Sequence, residues 1–277
     1  MKKVVFSAPG SVILSGEYVI LFGKPALILA IDKGVQVALT ETKKHMMSKQ
    51  YVQEADAIVK KYLKEKNQLF NEKIFRVTVQ SNIPRSEFFG YSNALYSALI
   101  SALLTLYTQK KYSRDEINIL TYQLEKKFNS KSYGIRTSAS TFGGLLYFRK
   151  EFEFLRTISL LHVRIPEYFE KHLFILKEIS LLEQADKIPD IIRKEYNTKT
   201  SLIEQLLIEQ EKITKRIVVS LFKEDVLLFK ECLIKQEELE KKLYPHDRIS
   251  KIVFREDIFE DSRYIPCKQA LSGVAAL

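Results

Sequence analysis

The stretch whose reading decides the fold is Ser7-Ala8-Pro9-Gly10-Ser11-Val12-Ile13-Leu14-Ser15-Gly16-Glu17-Tyr18, continued by Leu21-Phe22-Gly23-Lys24-Pro25-Ala26-Leu27. Two apolar runs, Val4 to Phe6 and Val12 to Leu14, flank Pro9-Gly10, which predicts strand, tight turn and strand. Gly16-Glu17-Tyr18 then sets a carboxylate and a phenol at a glycine bend, where backbone lacking a Cβ lets a ligand approach. Leu27 to Ile31 and Val35 to Leu39 predict a second strand pair, joined at Asp32-Lys33-Gly34.

Downstream, Val52, Ala55, Ile58, Val59, Tyr62 and Leu63 recur at helical spacing within Lys44 to Lys66, and Phe75, Val77 and Val79 alternate as a strand. Ile83-Pro84 leads through Phe88 and Gly90 into an apolar helix from Ser92 to Tyr107. A strand, a glycine-containing loop and a helix start are the parts of an anion site, because free amides at a helix N-terminus point at negative charge. Ser113-Arg114-Asp115-Glu116 is a capping box that opens a helix with the inner stripe Ile117, Thr121, Leu124 and Phe128. Glu125 lies on the edge of that stripe, where a carboxylate stays ionised only if a cation or a donor answers it.

From Glu151 the composition changes. Phe152 to Ile158, Leu160 to Ile165 and Leu173 to Ile179 read as strands, and Lys187 to Lys194, Ser201 to Phe222 and Glu224 to Leu243 as helices. Leu202, Leu206, Ile213, Ile217 and Leu221 form one stripe, and Glu and Lys fill the outer faces in the manner of solvated helices.

With 277 residues, 46% of them hydrophobic, the chain can bury one large core or two modest ones. The net charge of +10 suits an anionic partner such as a nucleotide or a phosphorylated metabolite. The lysines are scattered, with no aromatic-interleaved basic patch and no helix-turn-helix spacing, which argues against nucleic acid. No apolar run is long enough to span a membrane, and Met1-Lys2-Lys3 leads into a short strand rather than a signal-peptide core, so the expected location is the cytoplasm. Cys232 and Cys267 are expected to be reduced thiols.

Ala8-Pro9-Gly10-Ser11, Gly16-Glu17-Tyr18 and Gly23-Lys24-Pro25-Ala26 together resemble the opening of the GHMP small-molecule kinases, most closely the mevalonate kinase branch, which writes Ala-Pro-Gly-Lys, Gly-Glu-His and Gly-Lys-Pro-Ala. The resemblance implies an α/β fold in two domains: a mixed-sheet nucleotide-binding domain over residues 1–165, and a helix-rich domain over 166–277 that is shorter than the family's. It implies ATP and Mg2+ as cofactors and a small mevalonate-like alcohol as substrate. The segment from Ile83 to Ala94 corresponds to the family's phosphate loop, with Gly90, Ser92, Asn93 and Ala94 toward the nucleotide and Ser92 also on the metal. Glu125 falls at the family's metal-binding glutamate, and Glu17 and Tyr18 fall beside the substrate. Ser140-Thr141-Phe142-Gly143-Gly144 matches a strand-entry motif, and Ser272-Gly273 belongs to the third, nucleotide-side motif.

Four positions depart from the family pattern. Ser11 stands at the lysine, Arg136 at the catalytic aspartate, Phe88 at a loop glycine and Val274 in the glycine run of the third motif. In the family, base and lysine together deprotonate or polarise the substrate hydroxyl, so Arg136 and Ser11 at those positions imply the loss of both groups. A guanidinium at 136 can hold a phosphoryl group or a substrate carboxylate. Two functional classes stay open: a kinase of mevalonate, with phosphomevalonate as second choice, and a pseudokinase that binds a ligand or partner without turnover. Dimerisation is also open.

Overall fold

A computed structural model of the chain describes residues 3–43, 49–83, 89–150, 156–161, 163–177, 188–243, 250–256 and 264–277. In chain order it contains β1 (Lys3–Ser15), a 3-10 turn (Val19–Phe22), β2 (Ala26–Glu41), α1 (Gln50–Glu65), β3 (Phe75–Ser81), α2 (Tyr91–Thr108), α3 (Arg114–Phe128), α4 (Ile135–Phe142) and β4 (Leu145–Lys150). There follow β5 (Arg156–Leu161), α5 (Glu167–His172), β6 (Leu173–Lys177), α6 (Ile188–Thr198), α7 (Thr200–Lys223), α8 (Val226–Leu243), β7 (Ser250–Phe254), β8 (Tyr264–Pro266) and β9 (Ala275–Ala276). The mixed α/β architecture expected from the sequence is present. No helix among the described residues is long and apolar enough to cross a membrane.

The chain divides into two compact units. The first holds Met1–Val12, Ala30–Gly144 and Ala270–Leu277, and the second Ile13–Leu29 and Leu145–Gln269. In the first, strands run in the order β9-β1-β2-β3. β2 pairs antiparallel with β3 from Val35↔Ser81 to Glu41↔Phe75. Alternation sets the layers: Val35, Val37 and Leu39 are fully buried, while Gln36, Ala38 and Thr40 between them are partly exposed. α2 is apolar on every side and is buried from Asn93 to Leu104, as a central helix must be.

Both predicted hairpins are replaced by single long strands. Pro9-Gly10 lies inside β1 and Asp32-Lys33-Gly34 inside β2. The glycines serve close approach rather than turns. A Cβ on Gly10 would lie 2.5 Å from the Phe89 carbonyl, and one on Gly34 would lie 2.5 Å from the Ala8 carbonyl. The predicted helix from Lys44 begins among described residues at Gln50, and Lys44 to Ser48 lie outside them. The capping box is present, with the Glu116 amide donating to Ser113 Oγ and the Ser113 amide donating to Glu116 Oε2. Phe128, expected in the inner stripe of α3, is 42% exposed and instead lies 5.8 Å from the Tyr96 ring.

In the second unit, Ala26 to Leu29 pair with β4, and β4 pairs with β5 along its whole length. The sequence predicts a strand break between Ile158 and Leu160, but β5 runs straight through Ser159. A separate sheet runs β7-β6-β8. The inward stripe of α7 is Ile203, Leu207, Gln210, Ile213, Thr214, Ile217 and Leu221; Leu202, one residue out of phase, is 53% exposed. Buried polar residues interrupt that stripe. Ser15 Oγ and Thr214 Oγ1 lie 2.7 Å apart, Gln210 Nε2 donates to Ser15 Oγ, and Gln236 Nε2 donates to the Leu14 carbonyl. Cys232 and Cys267 are both buried, and no disulfide joins them.

Two outcomes follow for the first unit. A Cβ on Gly273 would stand 2.0 Å from the Thr141 carbonyl oxygen. Gly273→Ala is therefore expected to lower stability by about 1–3 kcal/mol, measured by urea unfolding. The Tyr62 hydroxyl donates to Glu116 Oε1 at 2.5 Å, and this bond is the main cause holding the Glu116 carboxyl below its ordinary value of 4.5. A lowered carboxyl contributes stability above its unfolded value and loses it as pH falls through the folded one. Tyr62→Phe is expected to flatten that acid-side loss in a series of thermal melts below pH 5, at about the ordinary glutamate range.

Candidate functional site

The predicted phosphate loop and the predicted catalytic position meet in the first unit. Gly90 ends the loop in the left-handed region at φ 66° and is the N-cap of α2, with no side chain capping the helix. Gly134 does the same for α4 at φ 79°. Each helix therefore presents first-turn amides that no capping side chain satisfies. A third segment closes in from β1: a Cβ on Gly90 would lie 2.8 Å from Ser11 Oγ and 3.9 Å from Arg136 Cβ. Arg136 is half-buried, and its Nη1 donates to the Ser11 carbonyl at 3.2 Å.

Electrostatically the site is cationic: a guanidinium beside the positive end of α2. Ser11 is fully buried, and its hydroxyl has no hydrogen-bond partner among the described residues. Burying an unpaired hydroxyl is costly unless a ligand or water answers it. Tyr91 and Ser92 are exposed on the first turn of α2. Phe88, expected to crowd the loop, lies outside the described residues.

Behind this surface lies a closed polar cluster. Asn93 Nδ2 donates to Glu125 Oε1 at 2.6 Å, and Thr137 Oγ1 donates to Glu125 Oε2 at 2.5 Å. Asn93 Nδ2 also reaches Thr137 Oγ1 at 3.0 Å. The three residues are 6%, 8% and 0% exposed for Asn93, Glu125 and Thr137. Tyr96 is pushed up to about 12, first by burial and then by the Glu125 charge. Magnesium demands near-octahedral oxygen ligands at about 2.0–2.1 Å and keeps several waters. Exposed Ser92 and a buried Glu125 with a donor on each oxygen do not fit that demand as the side chains stand. Thr137 was not singled out in the sequence, since no spacing rule links it to a glutamate on the preceding helix.

The remaining candidates lie elsewhere. Gly143 and Gly273 are in backbone contact at the C-terminal end of α4, where a Cβ on Gly143 would meet the Gly273 amide nitrogen at 2.3 Å. Arg136 is near the other end of that helix, six residues and about 9 Å away at 1.5 Å per residue. Ser272 and Gly273 instead line a cavity of about 630 Å³ with Pro9, Asp32, Lys33 and Gln80. Val274 donates its amide to the Thr141 carbonyl at 3.2 Å and is buried. In the second unit, Gly16 bends at φ 81°, where a Cβ would lie 2.5 Å from the Pro25 carbonyl. Glu17 and Tyr18 follow, both half-buried, and Tyr18 packs with Phe22, Tyr196 and Leu206 on the cluster of Val19, Ile192, Ile203, Leu207 and Leu243.

Residues 50–144, which include α2, α3 and α4, match the GHMP kinases N terminal domain. The chain is similar to the GHMP kinases, and residues 50–144 carry the match. It is 24% identical to a mevalonate kinase of Pyrococcus abyssi over 257 residues, 81% of this chain and 72% of that one. It is 30% identical to a mevalonate kinase of Pyrococcus furiosus over 186 residues, 57% of this chain and 55% of that one. A phosphomevalonate kinase of Streptococcus pneumoniae, solved with phosphomevalonate and AMPPNP, superposes with a TM-score of 0.70 at 16% identity, over 88% of this chain and 81% of the other. In fold, the chain is similar to these kinases.

The buried Ser11 hydroxyl yields a direct expectation. Ser11→Ala removes an unpaired polar atom and should leave the chain as stable or raise its stability by about 1 kcal/mol in urea unfolding. Gly90→Ala adds strain at a left-handed position and should cost about 1–2 kcal/mol. In the double variant that cost should shrink, because the atom that the new methyl meets is gone.

Proposed function

We propose that the chain binds the phosphates of ATP at the N-termini of α2 and α4 and transfers the terminal phosphoryl group to the hydroxyl of a small mevalonate-like alcohol. One observation carries the reading: the two helix starts, both opened by left-handed glycines without side-chain caps, converge with the Arg136 guanidinium on the Ser11 backbone. Phosphoryl transfer passes through a loose transition state, so catalysis rests on positioning and charge more than on a strong base. Gly90, Ser92, Asn93 and Ala94 supply the loop and first turn in this reading. Arg136 steadies charge on the transferring group. The acceptor is a mevalonate-like alcohol, with phosphomevalonate as the second candidate substrate; Glu17 and Tyr18 are the residues that the resemblance implies for it.

A second reading, nucleotide binding without turnover, is favoured by one specific observation. Glu125, the buried carboxylate on the helix adjacent to Arg136, is engaged on both oxygens, and the resemblance would put the family's base at position 136. Isothermal titration with ATP, followed by a coupled phosphotransfer assay with mevalonate and with phosphomevalonate, separates the two readings. Arg136→Ala is expected to weaken ATP binding about 10- to 150-fold, as the loss of a charge-assisted contact of about 1.5–3 kcal/mol requires. Saturable binding with product formation supports the kinase, and binding without product supports the second reading. No binding at millimolar ATP overturns both.

A further inference from the structure

Within the second unit, the segment from Ser15 to Pro25 is pinned to one helix, α7, at its entry, its middle and its exit. The entry is polar. Thr214 Oγ1 gives its single proton to the Gln210 carbonyl at 2.9 Å, so across the 2.7 Å contact with Ser15 it is the Ser15 hydroxyl that donates. Ser15 Oγ in turn accepts from Gln210 Nε2 at 3.1 Å. Gln210 Nε2 also reaches Gln236 Oε1 at 3.4 Å, and Gln236 Nε2 donates to the Leu14 carbonyl at 3.0 Å. A directed chain of hydrogen bonds thus holds the last residues of β1 to α7 and α8.

The middle anchor is apolar. Val19, 3% exposed, is buried in a cluster with Ile203 and Leu207, and Tyr18 and Phe22 pack against that cluster. The exit is ionic, with Lys24 Nζ 3.3 Å from Glu211 Oε2. Ile203, Leu207, Gln210, Glu211 and Thr214 recur at helical spacing, so they share one stripe of α7 about 16 Å long. Gly16 folds the segment back on itself, since its backbone lies at φ 81° and a Cβ there would stand 2.5 Å from the Pro25 carbonyl. Between the anchors at Ser15 and Val19 lie only Gly16, Glu17 and Tyr18.

Stability alone does not account for the polar anchor. Ser15, Gln210, Thr214 and Gln236 are each 3% exposed or less, and Gln210 Oε1 is buried without a hydrogen-bond partner among the described residues. Apolar side chains of similar volume would fill the same space with no polar group to desolvate and no orphan acceptor. What hydrogen bonds supply and apolar contacts do not is direction.

We infer that Gln210 and Thr214 on α7, with Gln236 on α8, are positioning residues for the Gly16-Glu17-Tyr18 bend, and through it set how tightly the chain holds its acceptor alcohol. They act through Ser15 and the end of β1. The inference rests on the reading that Glu17 and Tyr18 face that alcohol.

Titration calorimetry of the whole chain with mevalonate, with phosphomevalonate and with ATP tests this, alongside amide hydrogen exchange of the ligand-free chain. Thr214→Val is close in shape but takes away the acceptor of the Ser15 proton. It is expected to raise the dissociation constant of the alcohol about tenfold or more and to leave that of ATP unchanged. Thr214→Ser, which keeps the hydroxyl, should restore tight binding. Ser15→Ala removes the other end of the same contact, so it should match Thr214→Val and serve in its place if that variant does not fold; the double variant should be no weaker than either. Ile217→Val thins the same buried face of α7 away from these contacts, and it should lower the melting temperature with alcohol binding unchanged. Exchange at residues 16–22 should quicken in Thr214→Val and not in Ile217→Val. Unchanged alcohol binding in both Thr214→Val and Ser15→Ala, or an equal loss in Ile217→Val, overturns the inference and leaves the acceptor reading standing. Failure of the natural chain to bind either alcohol overturns the acceptor reading and the inference with it.

Discussion

One buried carboxylate holds the first unit in register. Glu125 accepts from Asn93 on α2 and from Thr137 on α4, and so binds three helices through two oxygens. A charge at 8% exposure is tolerated only because both oxygens are answered, and each donor is itself placed by the helix that carries it. The apolar packing of α2 brings the helices together, but it has no strong directional preference. The carboxylate does, and it thereby sets where Gly90 and Arg136 stand relative to one another.

The surface in front of that cluster follows from the same constraint. Gly90 must be glycine, because its backbone is left-handed and because Ser11 Oγ occupies the space a Cβ would take. The loop thus approaches β1 closely enough for Arg136 to reach the Ser11 carbonyl. The helix termini and the guanidinium thus lie together in front of the cluster. The scaffold is that of the GHMP kinases that the chain resembles.

Much of this was legible in the residues. The capping box at Ser113 and Glu116, the apolar run of α2 and the alternation of β3 are local signals, since each depends on neighbours within a few positions. Proline and glycine misled where their role was not local. Pro9-Gly10 and Asp32-Lys33-Gly34 carry turn chemistry, yet they lie in the middle of long strands because Gly10 and Gly34 each face a carbonyl of a neighbouring segment. The stripe on α7 was misread by one residue at Leu202, because the buried face includes Gln210 and Thr214, which hydrophobicity alone passes over.

By itself, the sequence determined most of the element types and the resemblance to GHMP kinases through Gly16-Glu17-Tyr18, Gly23-Lys24-Pro25-Ala26 and Gly143-Gly144. These are properties of short segments, and short-range sterics and periodicity write them directly into residue order. Only the tertiary structure decided that Asn93 and Thr137 close over Glu125, that Ser11 faces Gly90, and that Ser272 and Gly273 belong to the far end of α4. Those contacts join residues that are distant in the chain. Their partners are chosen by how helices and strands pack, and no spacing rule along the sequence carries that information.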